Sequence, residues 1–113
     1  MKEFLLLIRE NANYGQLSPE QMQNCVQEHI AWVQSLVERG HYERANPLEP
    51  EGSVIREGRV TDGPLIETKE CVSGFYLLLA NSLEEATAIG LECPDVQLGA
   101  TIEIRPLMPM NEA

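Results

Sequence analysis

The chain is expected to fold as an α+β domain of the ferredoxin-like kind: an antiparallel βαββαβ sheet with an inserted hairpin. Three observations predict it. Two apolar runs, at residues 3–9 and 72–79, have strand length; two segments carry helix-capping signals; and strands and helices alternate along a chain of 113 residues, enough for one domain (1–113) and too few for two.

The first run, Phe4-Leu5-Leu6-Leu7-Ile8, is bounded by charges and reads as a strand that is apolar on both faces. A polar loop then leads to Ser18-Pro19-Glu20-Gln21, where Ser18 can cap a helix, Pro19 suits its first position and Gln21 completes a capping box. From there Met22, Cys25, Val26, His29, Trp32, Val33, Leu36 and Val37 recur at helical spacing as one apolar stripe, and Gly40 supplies the stop. Residues 41–46 read as a strand broken by Pro47 and Pro50. Residues 53–56 and 59–61 flank Glu57-Gly58, the pattern of a tight hairpin. The run 72–79 is the strongest strand signal. It ends at Ser82, whose spacing to Glu85 predicts a capping box and a second helix reaching about residue 92. Cys93-Pro94-Asp95 ends that helix, and residues 101–105 form the last strand.

Two helices cover one face of such a sheet, yet both long strands are apolar on both faces. An antiparallel sheet with one face in water should alternate. The simplest cover for the second face is another copy of the chain, so a homodimer packed sheet on sheet about a two-fold axis is expected.

Composition narrows the function. Eight basic against eighteen acidic residues give a formal net charge of -10, which disfavours nucleic acid and anionic membranes as partners. The sequence has no apolar run of membrane-spanning length and no signal-peptide pattern, so a soluble, cytoplasmic protein is expected. Cysteines 25, 71 and 93 are odd in number and widely spaced, which points to reduced thiols and away from disulfides or a zinc site. A phosphate-binding glycine loop, a serine nucleophile elbow and His-x-x-x-His spacing are missing, so no cofactor and no metal are expected. What remains is acid/base chemistry on a small molecule, or small-molecule binding without chemistry.

His29 is the first candidate for such chemistry, because an imidazole oriented by a carboxylate is a workable general base at neutral pH. Its place on an apolar stripe equally suits a structural histidine bonded to a backbone carbonyl. Asp62 and Asp95 are the candidate partners. The run Glu67-Thr68-Lys69-Glu70 is either solvated surface or the mouth of a cleft, where Lys69 could hold a carboxylate and Glu67 or Glu70 could move a proton.

The stretch Thr61-Asp62-Gly63-Pro64-Leu65-Ile66-Glu67-Thr68-Lys69-Glu70, followed by Cys71-Val72-Ser73-Gly74-Phe75-Tyr76, resembles the signature of the YCII-related proteins, in the branch called DGPF-domain proteins. Leu65-Ile66 and Ser73 stand where that signature has Phe-Ala and a first Gly. The resemblance implies an α+β dimer and a histidine on the first helix, matched by His29, acting with an aspartate as an acid/base pair. It assigns no secure reaction, and a link with sigma-factor systems makes a regulatory module the alternative. Asp62 lies inside the matched motif and is preferred as partner of His29. Asp95 matches the related Asp-Pro-Tyr segment only loosely, and Glu67, Lys69 and Glu70 transfer as substrate-binding residues.

Overall fold

The computed structural model describes residues 1–10, 17–49, 51–63 and 71–110, with the backbone alone of Asp62 and Gly63. Within them the elements run β1 (Lys2–Glu10), α1 (Pro19–Glu38), β2 (Tyr42–Pro47), β3 (Gly52–Arg56), β4 (Arg59–Gly63), β5 (Cys71–Ala80), α2 (Leu83–Gly90), a 3-10 turn (Pro94–Leu98) and β6 (Thr101–Pro106). The mixed α+β class and the antiparallel sheet are as expected from the sequence.

β1 and β5 form the centre of a four-stranded sheet in the order β2-β5-β1-β6, and every pair in it is antiparallel. β3 and β4 make a separate two-stranded ribbon. Glu57 and Gly58 at its turn have φ of 53° and 77°, the doubly left-handed geometry that suits a two-residue hairpin and favours glycine.

Alternation sets the faces of the main sheet. Phe4, Leu6 and Ile8 of β1, with Tyr76, Leu78 and Ala80 of β5, are buried in one cluster with Trp32 and Leu36 of α1 and Ala86 and Ile89 of α2. Both helices therefore pack on this face. Leu5, Leu7, Phe75, Leu77 and Leu79 point the other way and are only half-buried. Alternation thus assigns Tyr76 and Leu78 to the helix-covered side.

The ends of the helices follow the sequence closely. Ser18 and Gln21 form the reciprocal capping box, with Ser18 Oγ accepting from the Gln21 N–H and Gln21 Oε1 accepting from the Ser18 N–H. Ser82 Oγ accepts from the Glu85 N–H, but Glu85 Oε1 reaches the N–H of Asn81 instead of that of its cap. α2 ends at Gly90, two residues short of expectation, and Cys93, 2% exposed, leads the chain into the 3-10 turn.

The apolar stripe of α1 is buried only in part. Trp32 and Leu36 sit in the core, whereas Met22, Val26 and Ile30 remain exposed. These three line a cavity of about 490 Å³ between the first half of α1 and the sheet.

Candidate functional site

The cavity is walled by apolar side chains of α1 and of the strands beneath it, with a polar end where His29, Asp95, Cys25, Glu10 and Ser73 converge. Helical spacing puts Cys25 and His29 one turn apart on the same face of α1. Asp95 arrives from the far end of the chain. Pro94 opens the 3-10 turn, Gly99 closes it in the left-handed region (φ 83°), and the Asp95 carbonyl accepts from the N–H of Ala100. This tight turn packs against α1 and aims the Asp95 side chain at it.

Asp95 is 5% exposed, the single buried charged residue among the described ones. Its two oxygens are shared: Oδ2 lies 3.1 Å from His29 Nε2, and Oδ1 lies 3.6 Å from Cys25 Sγ. On the other side of the imidazole, His29 Nδ1 lies 2.5 Å from the Tyr76 hydroxyl. The rings of His29 and Tyr76 are stacked with centroids 5.9 Å apart, and Trp32 packs on Tyr76 at 4.7 Å. With a carboxylate at Nε2, the neutral imidazole carries its proton there and donates it to Asp95; Nδ1 is then the acceptor for the Tyr76 O–H.

The same burial and charge shape the neighbouring groups. Desolvation first, then the negative charge of Asp95, pushes the Cys25 thiol up to about 11, so it is protonated and donates to Asp95. Desolvation also pushes the Tyr76 hydroxyl well above the usual phenol range, with Cys93 and Asp95 adding to it. The Glu10 carboxyl is raised by burial, lowered in part by a hydrogen bond from Ser73, and raised again by Asp95. Among the described residues, the cavity lining contains no Lys or Arg.

The other histidine behaves differently. His41 Nδ1 lies 2.8 Å from the Leu79 carbonyl oxygen, the backbone partnership that a structural histidine makes. His29 has a carboxylate and a hydroxyl instead.

Of the residues singled out in the sequence, the structure thus brings together His29 and Asp95. Asp62 lies on β4, opposite Ser53 in the hairpin ribbon, and its side chain lies outside what is described. Glu67, Lys69 and Glu70 lie outside the described residues. The carboxylate beside His29 is the one the sequence ranked second, because the preference for Asp62 rested on motif membership and the meeting of α1 with the 3-10 turn is a tertiary event. Sequence reasoning also passed over Tyr76, Cys25 and Glu10. Cys25 had a signal in its four-residue spacing to His29, and Tyr76 had one in its alternation with the buried Gly74 and Leu78.

Residues 3–111 match the family model described as the YCII-related domain. No curated protein matches the chain. No helix among the described residues is long and apolar enough to cross a membrane.

Proposed function

The chain belongs to the YCII-related family, and from that premise we propose that it is a cofactor-free enzyme that moves a proton on a small molecule held in the cavity beneath α1. One observation carries this reading: His29 is held between the buried Asp95 carboxylate and the Tyr76 hydroxyl at the polar end of a mainly apolar cavity. Asp95 fixes the tautomer and offsets the charge that develops when Nδ1 accepts a proton. Tyr76 sits on that acceptor atom. Its hydroxyl gives its proton to Nδ1 as it takes one from the substrate, a relay in which the phenol never has to ionise by itself. The apolar walls hold the substrate body and exclude water, which strengthens each of these polar contacts.

The surrounding architecture is read in the same way. The strand order β2-β5-β1-β6, with both helices on one face, supports a ferredoxin-like arrangement. The open face of Leu5, Leu7, Phe75, Leu77 and Leu79 supports a two-fold homodimer built sheet on sheet. The string from Thr61 to Tyr76 supports the DGPF branch, and with it substrate-binding roles for Glu67, Lys69 and Glu70. Three free cysteines suit a reducing, cytoplasmic setting.

The test is solvent exchange. Small ketones, lactones and hydroxylated aromatics are incubated with the protein in D2O, and deuterium uptake at carbon is read by NMR. A proton-transfer enzyme incorporates deuterium into the compounds that bind, and His29→Ala lowers the rate by about 10²- to 10⁴-fold while leaving the fold intact. Compounds that bind equally well to both proteins and take up no deuterium would make the cavity a binding module, the regulatory alternative.

A further inference from the structure

The polar end of the cavity holds three donor atoms of different chemistry, from Cys25, His29 and Asp95, all within 4.8 Å of one another. A tetrahedral zinc ion, with bonds of about 2.0 Å to nitrogen and oxygen and about 2.3 Å to sulfur, keeps its donors about 3.3 to 3.6 Å apart. The His29 Nε2 to Asp95 Oδ2 separation is 3.1 Å, and the Cys25 Sγ to Asp95 Oδ1 separation is 3.6 Å. Without metal, the imidazole and the thiol thus each lie near one oxygen of the same carboxylate, and a small shift of the side chains would gather one atom of each around an ion.

The geometry points to a Zn2+ site made by Cys25 Sγ, His29 Nε2 and a carboxylate oxygen of Asp95, with the fourth position open to the cavity. Three protein ligands and one open position are the composition of a zinc centre that takes an exchangeable water or ligand atom. The donor set selects the ion: a thiol and an imidazole suit zinc, while Mg2+ and Ca2+ prefer oxygen alone. Tyr76 completes the surroundings. With metal on Nε2, the proton of the neutral imidazole moves to Nδ1 and is donated to the Tyr76 oxygen, the outer partner that orients a metal-bound histidine. The local charge favours a cation as well, since Glu10 and Asp95 share this end of the cavity and no Lys or Arg lines it among the described residues.

Binding replaces the Cys25 S–H and the His29 to Asp95 hydrogen bond by metal bonds and releases the thiol proton to solvent. This goes beyond the proton-transfer reading, because zinc and the free imidazole are exclusive states of the same side chains. Zinc-loaded protein lacks the Nδ1 base, so zinc uptake would switch that chemistry off.

The experiment uses Co2+ as a spectroscopic stand-in and then Zn2+, added to the full chain after treatment with a chelator. Wild-type protein is expected to bind one equivalent per chain, with a sulfur-to-cobalt charge-transfer band that Zn2+ bleaches. Cys25→Ser should lose the band, and Tyr76→Phe should keep it with affinity reduced about 10- to 100-fold. Circular dichroism confirms that each variant is folded. Absence of the band in wild-type protein, or its survival in Cys25→Ser through Cys71 or Cys93, overturns the assignment. Neither result depends on turnover, so the metal site and the proton-transfer reading stand or fall separately.

Discussion

His29 and Asp95 meet across the gap between α1 and the 3-10 turn, with Nε2 3.1 Å from Oδ2 and the carboxylate 5% exposed. A carboxylate removed from water persists because its oxygens are bonded, here to an imidazole and a thiol. The pair therefore commits the imidazole to one tautomer. In metal-free protein, long-range proton–nitrogen NMR should find neutral His29 protonated at Nε2, and Asp95→Ala should shift the population toward the other tautomer. An Nδ1–H tautomer in the wild type would show that Tyr76, not Asp95, accepts from the ring.

Tyr76→Phe removes the hydroxyl from Nδ1 and leaves the ring packing of Trp32 and His29 in place. The loss of one buried hydrogen bond should cost about 0.5 to 1.5 kcal/mol in denaturant unfolding. If Tyr76 is the relay, the exchange rate in D2O should fall by much more than this stability change accounts for. A variant with unchanged exchange would remove the relay and leave His29 to act directly.

The open sheet face gives a prediction about assembly. Leu5 and Leu77 are opposite one another on β1 and β5, at the centre of that face. Leu77→Asp puts a charge there with no partner in a sheet-on-sheet dimer, and light scattering at micromolar concentration should report monomer for the variant and dimer for the wild type. Two monomers would refute the dimer.

Acid sensitivity should trace in part to Glu92. Its Oε1 accepts from Trp32 Nε1 at 3.1 Å and from Arg39 at 2.6 Å, and the Arg39 hydrogen bond, first among the causes, holds the carboxyl below its usual range. A carboxyl with a lowered folded-state pKa contributes stability that is fully present above its unfolded value and is lost as pH falls through the folded one. The pair is exposed, so the effect is modest. Glu92→Gln should lower the melting temperature at pH 7 and converge with the wild type in acid. Parallel curves from pH 7 to pH 3 would refute this linkage.

Helix capping offers a local control. Ser18→Ala deletes the acceptor for the Gln21 N–H and should cost about 1 kcal/mol without disturbing the cavity's polar end. A loss that also changed the His29 signals would show that the start of α1 and the site are coupled.

The sequence by itself determined the elements. Ser18, Gly40, Glu57-Gly58 and Ser82 punctuate the chain through local backbone chemistry, which needs no tertiary partner, and strand alternation divides Phe4, Leu6 and Ile8 from Leu5 and Leu7. His29 stood out for the same reason, as a titratable group on an apolar stripe. Its partner could not be read in this way. Cys25 and Asp95 are 70 residues apart, and Asp95 joins them only when the 3-10 turn packs on α1. Tyr76 looked like one more apolar residue of a strand until its register turned its hydroxyl toward Nδ1. Periodicity fixes the face on which a side chain lies, whereas hydrogen bonds between groups remote in sequence depend on how the elements pack, and that packing decided the carboxylate, the hydroxyl and the thiol around His29.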